Sequence, residues 1–507
     1  MRNFKAFSVA FLILLSIVLS SCASAPPHYY EKPKTTFEAL LQPYLADPAL
    51  DVANVGIFVQ DPATRQIIYQ QNQHRLFMPA SNEKLVTTAA GLTTLGPDFK
   101  FVTRLYADGT VENGVLHGNL YIVGSGDPTL SGRFHDGAMT RDLQNWADSL
   151  EAAGITKIDG DIIADANIFD DRRIGNGWAY DDLSYWYAAE ISGLSFNDNC
   201  INVFITPGDS AGAPAHLEYE PKTSYITMEN DLVTVPADSL THYDYHRADG
   251  TNHMRFFGQI SQSSGLIKDY ITVHNPALYT STVFSEVLSE QGITTAGKIR
   301  EISYKDTIPE YGKMNQLVVY PSPPLSEIVE VINKKSQNFY AEQLFKMVGF
   351  KRTGEGSFRG GRKAVNGFLA GIGIETEHMH VMDGSGLSRR NLISPFQIGT
   401  ILRYMYSGKN SDYYLESLPI GGTDGSLSSR FKGSVAAGRV RAKTGYVGFV
   451  RSLSGYVMTK DDHQLIFSIL VNHYTTNTSV INEFQDNVVT LLAAHTLDEL
   501  TAPAGVR

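Results

Sequence analysis

Three short groupings of hydroxyl, amine and amide side chains in this sequence could carry out acyl transfer. Ser81 and Lys84, in MPASNEKLVTTAAGL, stand one turn apart where a helical pattern begins. On a helix that spacing puts the two Cβ atoms roughly 5–6 Å apart on one face, near enough for the amine to take the hydroxyl proton. The amine must then be neutral, which requires burial or a second cation nearby. A serine at this point can equally cap the helix, and Ser429-Arg430-Phe431-Lys432 repeats the spacing. Lys443-Thr444-Gly445 is the second grouping, the only Lys-Ser/Thr-Gly in the chain, and it runs into a strand pattern. Its lysine and hydroxyl can hold a carboxylate, while the glycine lets the strand edge approach a substrate. The third, Ser-x-Asn, occurs as Ser336-Gln337-Asn338 and as Ser195-Phe196-Asn197. Spacing does not choose between these two, but order does. Ser336 falls at a helix–helix junction between Ser81 and Lys443, whereas Ser195 falls in a loop-rich stretch.

Other chemistry is weakly represented. Ser385 in DGSGLS lacks a Gly-x-Ser-x-Gly frame and reads as a turn residue. His378 and His380 stand outside any zinc spacing, so no metal is expected. GEGSFRGG, residues 354–361, has no following Lys-Ser/Thr and is not a phosphate loop. Tyr180, Tyr185 and Tyr187 could stack on glycan, but packing of a β-rich lobe explains them as well. The net charge of −11, with no long basic run, argues against nucleic acid as a partner.

The elements that must position these groups belong to a chain of 507 residues, too long for one ordinary core. With 43% hydrophobic residues it is globular. Arg2 and Lys5 precede an apolar run from Ala6 to Leu19, then Leu19-Ser20-Ser21-Cys22. The run reads as a signal peptide over residues 1–21, ending in what resembles a bacterial lipobox with Cys22 lipidated. Ala23 after that cysteine favours the outer membrane by resemblance to lipoprotein sorting. Residues 22–35, Pro-rich in their latter part, read as a tether. Cys200 has no partner in the mature chain and reads as a buried small hydrophobe. Alternating runs around Asp61-Pro62-Ala63-Thr64 and around Lys460-Asp461-Asp462-His463 predict two hairpins. A helix is expected from Ser81 to Gly96, and a pair over residues 325–349 with Ser326 as N-cap and Gly349 as terminator. Ile481, Phe484, Val488, Leu491, Leu492 and His495 mark a core-facing stripe. Between them, residues 101–315 change texture to short β-like runs and loops, with helical candidates near 139–153 and 280–291.

Ser-x-x-Lys, Ser-x-Asn and Lys-Thr-Gly in this order resemble the active-site set of penicillin-binding proteins and serine β-lactamases. The distance from Ser81 to Ser336 is too long for a β-lactamase. It is similar to the class C low-molecular-mass penicillin-binding proteins, the D-alanyl-D-alanine carboxypeptidase/endopeptidases. GSGDPTL (124–130), GDIIAD (160–165), GLSFNDN (193–199), DGSGLSRRN (383–391) and GTDGSLSSR (422–430) extend the match over most of residues 45–495. The resemblance implies an α/β transpeptidase-like domain, an antiparallel sheet flanked by helices, split into 36–100 and 316–507 around a β-rich insertion of two lobes at 101–315. It also implies Ser81 as nucleophile, Lys84 as base and Ser336 as proton relay to the leaving amine. Asn338 would contact the substrate amide, and Lys443 with Thr444 and Gly445 would take the terminal carboxylate. Lys443 would in addition lower the pKa of Lys84. Backbone N–H groups of Ser81 and Tyr446 would form the oxyanion hole; Tyr446 stands where many relatives carry Ser or Thr, which bears on selectivity. No cofactor is implied. Peptidoglycan stem peptides would be substrates and β-lactams covalent inhibitors. The competing classes are a fast-deacylating β-lactamase and a non-catalytic wall-binding lipoprotein.

Overall fold

The computed structural model describes residues 34–302 and 306–505. The leader, Cys22 and nearly all of the tether lie outside the described residues. Alternation over Asn54–Gln60 and Ile67–Gln71 produces a hairpin. Its turn is held by the buried Asp61, whose carboxylate accepts from the Ala63 amide at 2.8 Å and the Thr64 hydroxyl at 2.7 Å. Asn54–Gln60 then pairs with Gln464–Asn472, which joins the first part of the chain to the last. The finished sheet runs Val440–Val447, Val450–Met458, Gln464–Asn472, Asn54–Gln60, Ile67–Gln71, antiparallel throughout. Gln464–Asn472, at its centre, is buried along nearly its whole length because both faces are covered. The helices Thr36–Leu45 and Thr478–Ala494 seal one face, with Ile481, Phe484, Val488 and Leu492 buried as the stripe predicts. Glu83–Leu95 and Pro395–Ser407 lie on the other, backed by Leu325–Lys334, Asn338–Thr353 and Phe358–Gly371.

Two helix ends differ from expectation, both for tertiary reasons. Leu325–Lys334 is preceded by Pro324, and Ser326 is already inside it, its amide taken by the Pro97 carbonyl at 3.0 Å. Gly349 does not end its helix, which continues to Thr353 and stops at Gly354 with φ 76°. A Cβ on Gly349 would stand 2.4 Å from the Gly361 nitrogen, so that glycine serves the close approach of the neighbouring helix.

Between these halves the chain builds four smaller sheets. A five-stranded one (Ile299–Glu301, Ile162–Asp165, Leu120–Val123, Val102–Ala107, Asn315–Pro321) and a four-stranded one stand with the helices Arg141–Ala152 and Pro276–Glu290. Two three-stranded sheets follow, one containing Cys200–Thr206 and the other His253–Ser261. One continuous cluster of buried apolar residues runs through both groups. Entry and exit are strapped together, since Val102–Ala107 pairs with Asn315–Pro321 and the Ser322 amide donates to the Phe101 carbonyl at 2.8 Å. Position 316 thus lies within a strand that pairs with Val102–Ala107.

Candidate active site

Ser81 sits in a single 3₁₀ turn, Ala80–Asn82, ahead of the Glu83–Leu95 helix, whose N-cap is Asn82, while the Ser81 hydroxyl is turned to Lys84. Ala80 before it adopts φ 46°, a left-handed conformation unfavourable for a residue with a Cβ. That turn is held from two directions. Ser452 Oγ donates to the Pro79 carbonyl at 2.6 Å, and Asn82 Nδ2 donates to the Lys443 carbonyl at 2.8 Å. Gly445 makes the approach possible: a Cβ there would stand 2.0 Å from Ser452 Oγ and 3.0 Å from the Ser81 nitrogen.

Lys84 lies on the buried side of the same helix and is fully covered. Its Nζ is 3.0 Å from Ser81 Oγ, 2.6 Å from Asn338 Oδ1 and 2.8 Å from the Ser385 carbonyl. Burial brings its pKa down to about 7, against the opposing pull of Glu342, Asp383 and Glu83. The depression expected from Lys443 is not the cause; burial is. Near neutral pH a large share of this lysine is a free amine, as a general base must be.

Lys443 closes the opposite side. Its Nζ donates to Ser336 Oγ at 2.8 Å and to the Thr444 carbonyl at 2.8 Å. Burial, and then the Lys84 charge, hold its pKa well below that of an ordinary lysine. Ser336 occupies the joint between two helices at φ 56°. Asn338 opens the second helix and donates Nδ2 to the Tyr187 carbonyl at 2.7 Å, which fixes its amide with Oδ1 toward Lys84. Thr444 Oγ1 reaches Ser426 Oγ at 2.7 Å, from the GTDGSLSSR segment. A cleft of about 490 Å³ passes over Ser81, Ser336, Asn338, Thr444 and Tyr446, and Asp182, Trp186 and Tyr187 add to its wall. The structure thus brings Ser81, Lys84, Ser336, Asn338, Lys443, Thr444, Gly445 and Tyr446 to one place.

The alternatives separate from it. Ser429 and Lys432 are both exposed. Ser195 is buried and donates to the Ser192 carbonyl at 3.2 Å, while Asn197 Nδ2 donates to the Cys200 carbonyl at 2.9 Å. Cys200 is buried with its thiol pKa pushed far up by burial, an inert site. Gly354 and Ser357 of GEGSFRGG end one helix and cap the next. Tyr185 and Tyr187 stack at 5.6 Å, and the Tyr187 hydroxyl donates to Asp182 at 2.9 Å. No group of metal-binding side chains occurs among the described residues. Sequence reading passed over Glu342 and Asp383, buried carboxylates behind Lys84; the signal available was Glu342 four positions after Asn338, hence on the same helix face.

A serine hydroxyl against a buried near-neutral amine, under a strand edge that carries a second amine, defines a serine hydrolase working through an acyl-enzyme. The chain belongs to the D-Ala-D-Ala carboxypeptidase 3 (S13) family, whose model matches residues 37–495. Among curated relatives, a D-alanyl-D-alanine carboxypeptidase of Actinomadura sp. (strain R39) is 32% identical over 91% of this chain and 85% of its own length. One from Haemophilus influenzae is 27% identical over 84% of this chain and 86% of its own. The crystal structure of penicillin binding protein 4 from Haemophilus influenzae superposes with a TM-score of 0.78 at 25% identity, covering 90% of this chain and 99% of that one. Its complex with a β-lactam gives 0.71 at 25% identity, covering 91% of this chain and all of that one. Antiparallel sheet and flanking helices therefore belong to the penicillin-binding protein fold.

Proposed function

We propose that Ser81 of this D-Ala-D-Ala carboxypeptidase attacks the peptide carbonyl of a peptidoglycan stem ending in D-Ala-D-Ala. Neutral Lys84 takes the hydroxyl proton, and the backbone N–H groups of Ser81 and Tyr446 receive the oxyanion. The proton taken by Lys84 then moves through Ser336, held by Lys443, to the leaving amine as its C–N bond breaks, while Asn338 holds the substrate amide. Lys443 and Thr444 take the terminal carboxylate, whose negative charge draws a proton onto Lys443 as it binds. Water then hydrolyses the acyl-serine. No step draws on a metal or cofactor.

The observation that carries this reading is the 3.0 Å contact between Ser81 Oγ and the buried amine of Lys84. Cross-linked stems present the same bond with a longer leaving group, so endopeptidase work belongs to the same site. A β-lactam takes the place of the D-Ala-D-Ala amide and leaves its acyl group on Ser81, because the leaving group stays tethered. Residues 36–100 and 316–507 act as the catalytic domain and 101–315 as inserted lobes, with Asn315–Pro321 crossing that boundary as it returns along Val102–Ala107. The enzyme works in the cell envelope, with Cys22 as lipid anchor and residues 22–35 as tether, on the outer membrane. No helix among the described residues is long and apolar enough to cross a membrane.

Incubation with purified muropeptides and mass analysis of the products tests the activity. Loss of one D-Ala, or separation of cross-linked dimers, is expected. Rapid nitrocefin turnover without peptide release would support a β-lactamase instead, and wall binding without release a non-catalytic lipoprotein. Fluorescent penicillin should add covalently to the peptide containing Ser81; an adduct elsewhere, or none, overturns the assignment of the nucleophile.

A further inference from the structure

The amine of Lys84 touches three oxygens, and they are not alike. Asn338 Oδ1 at 2.6 Å and the Ser385 carbonyl at 2.8 Å can only accept, whereas Ser81 Oγ at 3.0 Å can donate as well. A neutral amine has two N–H bonds and one lone pair. If the two pure acceptors take the N–H bonds, the lone pair faces the single partner with a proton to give, the Ser81 hydroxyl. The aim of the base therefore depends on keeping both acceptors in place. Asn338 is fixed through its own Nδ2 by the Tyr187 carbonyl at 2.7 Å.

The Ser385 carbonyl needs a different support, because it belongs to the Asp383–Asn391 turn and not to a helix. Glu342 is fully buried, and its carboxylate accepts from the Gly384 amide at 2.8 Å through Oε2 and from the Ser385 amide at 2.8 Å through Oε1. From the nucleophile helix, Thr87 Oγ1 donates to the Gly384 carbonyl at 2.7 Å. The Asp383 carboxylate ties the rest of the turn, taking the Gly386 amide at 2.9 Å, the Ser388 amide at 2.6 Å and Asn391 Nδ2 at 2.6 Å.

We propose that Glu342 is a positioning residue for the catalytic base: by gripping Gly384 and Ser385 it aims the Ser385 carbonyl at Lys84, and so the lysine lone pair at Ser81. The inference rests on the reading of Lys84 as base. Charged groups facing Glu342 are Lys84 and Glu83 from the nucleophile helix, Asp383 from the turn and Lys346 one turn along its own helix. Lys346 is itself committed to Asp170 Oδ1 at 2.7 Å and the Arg172 carbonyl at 2.7 Å. Burial, and then Asp383, push the Glu342 carboxyl up to about 8, so its charge is only partly formed at neutral pH; the part that is formed holds a proton on Lys84, and its removal makes the amine lose that proton at lower pH.

Three full-length variants with the wild type test this, by the rate constant of Ser81 acylation by fluorescent penicillin from pH 5.5 to 9.5, with melting curves alongside. Glu342→Gln keeps the length but accepts from only one of the two amides. Its plateau rate should fall roughly tenfold, the effect of losing one hydrogen bond to a charged group, and its rising limb should move to lower pH. Glu342→Asp keeps the charge but not the reach, so the plateau should fall with the limb unmoved. Thr87→Val releases the turn from the other side and should lower the plateau a few-fold, again without moving the limb. A merely structural role would lower the labelled fraction and leave the rate constant and limb of the folded molecules unchanged. A folded Glu342→Gln with wild-type plateau and limb overturns the proposal. If neither Glu342 variant melts cooperatively, Thr87→Val decides, and a wild-type rate there overturns it equally. Failure of the wild type to label at Ser81 refutes the acyl-serine reading itself; normal wild-type labelling with unaffected variants refutes only the role of Glu342.

Discussion

Replacing Lys84 by methionine removes the proposed base and also relieves the fold of a charge it resists. Unfolded, the lysine titrates near 10.5; folded, burial brings it to about 7. Between those values the unfolded chain binds more protons, so this group makes the folded state more stable as pH rises and less stable as it falls. From the two pKa values, the penalty on folding is about 5 kcal/mol at pH 6 and about 2 kcal/mol at pH 9. Methionine abolishes that penalty but leaves Asn338 Oδ1 and the Ser385 carbonyl without a donor, at a cost of about 1–3 kcal/mol each. Those two losses do not depend on pH, so a comparison across pH cancels them. The stability of Lys84→Met relative to wild type should therefore be about 2–3 kcal/mol more favourable at pH 6 than at pH 9. Urea unfolding of both proteins at the two pH values measures it, and penicillin acylation of the variant should be lost at both. A relative stability that stays constant between pH 6 and pH 9 refutes the claim that burial holds this amine near neutrality.

Acylation by penicillin should climb with pH and level off above about 7, as the Lys84 amine loses its proton, and a flat profile from pH 5.5 to 9 would contradict that base. Lys443→Gln should lower kcat/KM for a peptide ending in a free D-Ala carboxylate about 10- to 150-fold more than for its methylamide, since only the former loses a charge-assisted bond. Equal losses for the two peptides would remove Lys443 from carboxylate binding. Gly386→Ala should slow acylation about tenfold or more: the residue has φ 84°, and its Cβ would fall 1.8 Å from the Ala80 carbonyl that shapes the nucleophile turn. Wild-type acylation and melting in that variant would show the turn to be less constrained than its contacts imply.

Sequence reading reached the groups with local signatures. Ser81 and Lys84 share a helical turn, Ser336 and Asn338 a helix joint, and Lys443 to Gly445 a strand, so each set announces itself within four residues. The central hairpins and the buried stripe of the last long helix were legible for the same reason, a period of two or of 3.6. What escaped depends on partners far along the chain. Glu342 looks like any helical glutamate until Gly384 and Ser385 reach it, and the end of its helix was misjudged because Gly349 answers to a neighbouring helix. Some strands of the middle stretch are short; Ile162–Asp165 and Ile299–Glu301 pair in parallel across a long separation, too brief for periodicity to show.

Ser81 comes early in the chain and Lys443 late; the early strand Asn54–Gln60 is zipped to Gln464–Asn472, which pairs through Val450–Met458 with the strand that carries Lys443. The strand edge against the nucleophile is therefore among the last segments made, and its support, Gln464–Asn472, is later still. Pairing so distant in sequence forms slowly and only after nearly all of the chain is present. A chain that ends before Val440 carries Ser81 and Lys84 but neither the second amine nor the strand that frames the cleft. Acyl transfer at Ser81 is thus expected only of a chain that reaches past Asn472, because the cleft closes on the late strands of the sheet.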